Sequence, residues 1–500
     1  MKKGILFFTV ITLIGCFPFG ICQANEGKGL AAGLWPSNKT IGTCVDLLPK
    51  LTFDAPPVLG EIGKIKICQV ADDQVVDTID LADPYVTNWN PSPALGSTTK
   101  LNVIGNVPGA TQARIVNYYP VLINENTATI VPHNNKLKYD TAYYILIEPG
   151  VLEGTIEGVP FNGITSKDTW QFTTKASAPT GTTLKVNTDG TADFCTIQGA
   201  IDAIPVKNTV PYTIEIADGI YAELLYIWDK YNVTFRGQNR EQTIIQYDNC
   251  EQLNTGTGGG TATPITNSTL PERGGRGIFL VNGSSGLVLD NLTIENTHGP
   301  KSQAETICLI GEPSDHYIAK NCKFLSYQDT IQSRSQAWFY NCLIAGDVDF
   351  IWGAATTVLF EDCEIMTRRR NSYIVQARTP QPDNKGFVFL NCTLTREGEY
   401  YGVVLARSGG KPDYYDNVAF INCKMDEHIM YSGWLRSPAP NPSTASATSG
   451  WKEYKSVDLE GNPIDVEDRF EGGSYQLTDV EFETYYKDRQ TIFGNWNPMP

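Results

Sequence analysis

The sequence predicts an all-β protein, a β-sandwich followed by a parallel β-helix, and three observations carry that expectation. Gly at 45, Pro at 29 and Tyr at 24 among 500 residues favour turns and strands, and few stretches keep an uninterrupted 3.6-residue apolar period. A short cysteine-containing motif recurs at the pitch of a solenoid coil. The region before it alternates polar and apolar residues between Pro and Gly clusters, as antiparallel strands do. Five hundred residues exceed one ordinary domain, so two or three folded units are expected. An apolar share of 41% with 19% charged residues excludes disorder throughout, and a formal charge of −16 repels nucleic acid.

Along the chain, Met1-Lys2-Lys3 and the uncharged run from Gly4 to Cys22 form the basic start and apolar core of a secretory signal over residues 1–24. Gly15, Pro18 and Gly20 interrupt the run and no basic flank follows it, which argues against a spanning helix. Two cleavage sites compete. Leu13-Ile14-Gly15-Cys16 matches a bacterial lipobox in which Cys16 carries a lipid anchor, whereas cleavage after Ala24 releases a free protein. Either way the chain is expected to be exported, as a secreted or periplasmic protein or as a lipoprotein of the outer membrane or cell surface.

Residues 25–178 read as a β-sandwich, with alternating strands such as Lys64-Ile65-Lys66-Ile67 and Tyr143-Tyr144-Ile145-Leu146-Ile147. Leu51-Thr52-Phe53-Asp54, the stretch from Leu137 to Tyr143 and Trp170-Gln171-Phe172-Thr173-Thr174 resemble the bacterial Ig-like modules appended to surface enzymes. Such a module serves as a spacer or binds glycan. Ala176-Ser177-Ala178-Pro179-Thr180-Gly181 reads as a linker into the second unit, 179–500.

In that second unit Cys322, Cys342, Cys363, Cys392 and Cys423 each follow Asn or Asp and stand two residues before an apolar side chain. Asn291-Leu292-Thr293-Ile294 and Asn232-Val233-Thr234-Phe235 fit the template without cysteine. Intervals of about 20 to 31 residues suit one coil of a parallel β-helix. Equivalent side chains then stack inside, cysteine acts as a small apolar filler, and neighbouring Asn amides share hydrogen bonds. Thiols in one column point the same way, which suits a disulfide poorly.

The residues available for chemistry are few. No Gly-x-Ser-x-Gly elbow occurs, and His133, His298, His316 and His428 are not at metal-ligand spacing. Carboxylates remain. Asp329 lies seven residues after Cys322 and Asp349 seven after Cys342, so the solenoid register puts them in one column on adjacent coils, with backbones about 4.8 Å apart. Two carboxylates that close cannot both ionise freely, and one pKa must rise, which separates an acid from a base or nucleophile. Each Asp taken singly could instead cap a turn.

Here the sequence resembles the pectin methylesterases, or pectinesterases, over about residues 182 to 498. The resemblance rests on Gly190-Thr191-Ala192-Asp193-Phe194-Cys195-Thr196-Ile197-Gln198 with Ala200, on Asp218-Gly219-Ile220-Tyr221-Ala222-Glu223 and on Tyr327-Gln328-Asp329-Thr330. It continues through Gly346-Asp347-Val348-Asp349-Phe350-Ile351-Trp352-Gly353 and closes on Ile492-Phe493-Gly494-Asn495-Trp496-Asn497-Pro498. It implies a right-handed parallel β-helix and hydrolysis of galacturonate methyl esters in pectin, with no metal and no organic cofactor. Asp349 matches the nucleophile and Asp329 the general acid that later serves as base. Gln328 and Gln303 match the amide donors to the oxyanion, and Arg407 the guanidinium that orients the nucleophile and keeps it ionised. Tyr327, Phe350 and Trp352 are candidate sugar-stacking or wall residues. A monomer acting on methylated homogalacturonan is expected.

Two departures stand out. Gln303-Ala304 is followed by Glu305 and Thr306 where the family has small apolar residues, which places an extra carboxylate near the cleft. The family's Leu-Gly-Arg-Pro-Trp reads Leu405-Ala406-Arg407-Ser408-Gly409, so the arginine is kept and the groove tryptophan has no match. Because the protein is itself negative, long-range attraction cannot recruit a polyanionic substrate, and local contacts must. Two other readings stay open: a β-helix lyase or glycosidase acting on polygalacturonate, and a non-catalytic surface solenoid that binds polysaccharide.

Overall fold

One left-handed residue per coil organises the second unit. Asn291, Asn321, Asn341, Asp362, Asn391 and Asn422 hold φ between 51° and 61°, a region that Asn and Asp enter more readily than other side-chain-bearing residues. Each ends a strand of one sheet and turns the chain within two residues into a strand of the next. Asn232, grouped with them by its sequence, sits at another corner: it precedes Val233–Gly237, a strand of the first sheet. The computed structural model describes residues 29–82, 100–258, 263–264 and 274–499. The signal segment 1–24 and Cys16 lie outside the described residues.

Repetition of the coil builds three parallel sheets of eleven, eight and eight strands. Inside, the five ladder cysteines are buried free thiols. No disulfide joins them, and their thiols bond to backbone: Cys363 Sγ donates to Phe339 O and Cys392 Sγ to Phe360 O, both at 3.3 Å. At the same corner Asn341 Nδ2 donates to Asn321 Oδ1 at 2.7 Å, the amide ladder expected from the motif. Phe339, Phe360, Phe389 and Phe420 stack at centroid spacings of 4.8, 4.9 and 4.4 Å, close to the strand spacing that drives them together. Two short helices, Asp479–Tyr485 and Arg489–Phe493, then cover the outer face of the first sheet over Trp338, Leu359 and Ile421.

The amino-terminal unit forms a four-stranded antiparallel sheet and a five-stranded sheet. In the latter Lys64–Gln69 and Ala142–Ile147 pair antiparallel, Ile67 opposite Ile145, and Trp170, Tyr143 and Phe172 fill the core. The boundary drawn at 178/179 does not separate two independent cores. The hairpin of Lys100–Ile104 and Gln112–Tyr118 leaves the sandwich, and Ile104, Val116 and Tyr118 pack in the core of the β-helix. Strand alternation predicts such a hairpin but carries no information about which core receives it.

Candidate active site

The third sheet gathers the polar residues. Ile331–Ser333, Val348–Gly353, Tyr373–Ala377 and Val404–Arg407 are consecutive neighbours in it. Ile331 faces Ile351 and Gln332 faces Trp352, so the same register puts Asp329 beside Asp349, as the seven-residue offsets require. Asp329 N donates to Val348 O at 3.0 Å, and both aspartates are left-handed, φ 67° and 50°. Toward the next strand, Val348 faces Tyr373 but Ile351 faces Val375, a bulge centred on Asp349 and Phe350. It sends Phe350 into the core and Asp349 toward residues of later coils.

Asp349 is buried and held from two sides. Arg407 donates Nε to Oδ1 at 2.6 Å and Nη2 to Oδ2, a forked pair, while Gln376 Nε2 donates to Oδ2 at 2.9 Å. Gln376 is fixed in turn, its Oε1 accepting from Arg378 Nε at 3.0 Å and Nη2 at 2.5 Å. Burial pushes the Asp349 carboxyl above its ordinary value, and the Arg407 hydrogen bond and charge oppose this. The expected lowering by Arg407 is therefore a contribution that burial outweighs. Arg407→Lys supplies one point charge in place of the fork, and we expect about 10- to 100-fold lower kcat/KM for ester hydrolysis, read from initial rates.

Asp329 lies in a different field. Its Oδ2 accepts from Arg276 Nη2 at 3.0 Å and from Gln303 Nε2 at 3.1 Å. Burial raises its carboxyl well above the ordinary value, Glu305 and Asp349 add to this, and Arg276 and Gln303 work against it. The two aspartates thus differ as an acid–nucleophile pair must.

The structure bonds Gln303 to Asp329 and Arg407 to Asp349 and sets the two aspartates side by side on adjacent coils, and Gln328 joins them as the backbone bridge partner of Gln303 on the adjacent coil. Tyr327 is half-buried beneath the Arg368 guanidinium, 4.3 Å from its ring. Trp352 is flanked by Arg378 at 4.8 Å and Arg276 at 5.9 Å. Phe350 must be corrected: it is fully buried in the core and forms no substrate wall, because the bulge turns it inward. Glu305 is likewise no exposed cleft carboxylate. It is fully buried and bound by Arg276 Nε, 3.0 Å to Oε1 and 2.8 Å to Oε2.

Sequence reasoning missed Arg276, Gln376 and Arg378. Gln376 was detectable as the amide in the otherwise apolar strand Tyr373–Ala377, and Arg276 as the cation within Gly274-Gly275-Arg276-Gly277. Among the described residues one group has metal-ligand proximity, Cys44, Asp46 and Cys195. Asp46 is already used: Oδ2 accepts from Thr196 N at 2.8 Å and Thr196 Oγ1 at 2.6 Å, and Lys175 Nζ lies 3.2 Å from Cys44 Sγ. That cation disfavours a second one.

A family model described as pectinesterase matches residues 183–489, more than half of the chain. The chain belongs to the pectinesterase family. It is 30% identical over 258 residues to "Pectinesterase 31" of Arabidopsis thaliana, covering 50% of this chain and 76% of that protein. With "Pectinesterase/pectinesterase inhibitor 3" of Arabidopsis thaliana it shares 29% over 355 residues, 67% of this chain and 53% of that one. The chain therefore spans about three quarters of the first pectinesterase and about half of the second. The solved structure "Pectin methylesterase from Carrot" covers 65% of this chain and 99% of its own at 22% identity and a TM-score of 0.51. That likeness shows the fold, a right-handed parallel β-helix. The sandwich residues before 183 lie outside the pectinesterase match.

Proposed function

We propose that the protein is an exported carbohydrate esterase that hydrolyses galacturonate methyl esters of pectin to a free carboxylate and methanol. The observation that carries this reading is the adjacent pair of buried aspartates with different partners, Asp349 in the fork of Arg407 and Asp329 beside Arg276 and Gln303 in a field that raises its carboxyl well above the ordinary value. Asp349 Oδ attacks the ester carbonyl carbon, and Gln303 and Gln328 are suited to receive the oxyanion with neutral N–H donors. The C–OCH3 bond breaks as Asp329 gives its proton to the departing oxygen, which leaves methanol and an acyl-Asp349 anhydride. Asp329, now a carboxylate, takes a proton from water whose oxygen attacks the anhydride carbonyl. Asp349 leaves ionised, and Asp329 is protonated again. Neither half-reaction requires a metal or organic cofactor.

Arg368, Arg378 and Arg407 collect at the site of a protein whose formal charge is −16, whereas Arg276 is buried and already bound by three carboxylates. The first three favour short-range contact with galacturonate carboxylates over long-range steering, with half-buried Tyr327 as the aromatic surface, whereas Trp352 is buried at 7% exposure. In this reading the leader, with either cleavage site, sends the enzyme outside the cytoplasm, where it is expected to act as a monomer. Mass spectrometry of the mature amino terminus separates a lipid on Cys16 from cleavage after Ala24.

The test is methanol release from methylated oligogalacturonides without chain shortening. Shortening without methanol would support a lyase or glycosidase, and binding without either product a non-catalytic solenoid. The rate should follow a bell in pH. It rises as Asp349 ionises, at a pH above the ordinary carboxylate range because burial raises it, and falls where Asp329 loses its proton, higher still. A profile flat on the alkaline side would remove Asp329 from the acid role.

A further inference from the structure

Arg276 faces three carboxylates at once. Nε bonds both oxygens of Glu305, Nη1 donates to Glu251 Oε2 at 2.6 Å and Nη2 donates to Asp329 Oδ2 at 3.0 Å. Glu251 is partly exposed and shares its charge with water, while Glu305 and Asp329 are buried. One guanidinium can balance only one buried carboxylate, so the other must hold a proton. We propose that Arg276 and Glu305 act as a positioning pair that leaves the proton on Asp329 in the resting enzyme. This rests on Asp329 being the acid of the esterase reaction, and it assigns a task to the carboxylate by which the chain departs from its family after Gln303-Ala304.

Two features decide which carboxylate holds the proton. Asp329 has a buried anion on either side, Glu305 one coil before and Asp349 one coil after, whereas the anion that acts on Glu305 is the partly exposed Glu251. Burial raises both carboxyls, Glu305 to about 7 and Asp329 well above its ordinary value. In addition both donors to Asp329, Arg276 Nη2 and Gln303 Nε2, converge on Oδ2, which leaves Oδ1 to carry the hydrogen. The other cations facing Asp329 are engaged on later coils, Arg407 with Asp349 and Arg378 with Gln376. Glu305 thus neutralises Arg276, which would otherwise ionise the acid.

The first test reads the proton itself. Infrared difference spectra of wild type against Asp329→Asn at neutral pH should contain a protonated-carboxyl C=O band that the variant lacks, whether or not methanol is released. Absence of that band overturns the proposal without touching the esterase reading. The second compares pH profiles of kcat. Glu305→Gln keeps the shape but frees the charge of Arg276 for Asp329, and the alkaline limb should move down by about one pH unit, with kcat at pH 7 about tenfold lower and KM within about twofold. Arg276→Met combined with Glu305→Gln removes the cation too and should return the limb to within about half a unit of wild type. A loss that is equal at all pH values, with the limb unmoved, would assign Glu305 a purely structural role and overturn the proposal.

Discussion

Asp349→Asn is expected to lower methanol release by at least about 10⁴-fold while leaving a folded, β-rich protein. The amide keeps the volume of the carboxylate but has no charge with which to attack a carbonyl carbon. The fold should tolerate the change because two effects oppose each other. The variant loses the charge of the forked pair with Arg407, a half-buried side chain that water can partly compensate, and it no longer buries an anion that burial itself disfavours. We expect stability to change by no more than about 1 kcal/mol, measured by denaturant unfolding, against a collapse in turnover. More than 1% residual activity in a pure preparation would shift the first attack from Asp349 to a water activated by Asp329.

The nucleophile's role for Asp349 came from the family resemblance, but the pairing of the two aspartates was legible in the sequence because the repeat is rigid. Cys322 and Cys342 occupy equivalent interior positions, so seven residues onward from each must also be equivalent, and Asp329 and Asp349 fall together without any knowledge of side-chain contacts. The same logic failed where an equivalence was assumed from four residues alone. Asn232 fits the corner motif but turns a different corner, since a left-handed Asn is useful at either. Phe350 was legible as an aromatic beside Asp349, but its direction depends on a bulge, and bulges leave no period in the sequence. Arg276 and Gln376 were hidden for a third reason. Each contacts its aspartate across 53 or 27 residues, through loops or coils whose lengths vary, so spacing says nothing about where their side chains meet. The departure at Glu305 was visible, yet its meaning lay in the cation it faces, and no local pattern pairs the two.

The amino-terminal unit was expected to be a spacer or a glycan binder, and the hairpin it sends into the β-helix gives it a third task. Arg114, at 2% exposure, donates to five carbonyl oxygens: Nε to Gly274 at 2.6 Å, Nη1 to Leu225 at 2.7 Å and Ile278 at 3.2 Å, and Nη2 to Gly275 at 2.9 Å and Gly277 at 2.6 Å. Burial lowers it to about 10, so it remains charged at neutral pH. Only glycine fits at 274, where a Cβ would lie 2.6 Å from Arg114 Cγ and from Ile115 O. The loop gripped in this way is the one that carries Arg276 to Asp329. Arg114→Met would strip all five carbonyls of this donor, leaving Gly275 and Gly277 with Asn249 Nδ2 and Ile278 with Leu225 N, and we expect a loss of about 3–5 kcal/mol in unfolding free energy. Where the protein stays folded, kcat should fall about tenfold with a smaller change in KM, because Asp329 loses a partner that binding does not use. Arg114→Lys, with three donors for five acceptors, should fall between the two in both measurements. A stability loss with kcat and its pH profile unchanged would mean that the hairpin supports the solenoid without reaching the chemistry.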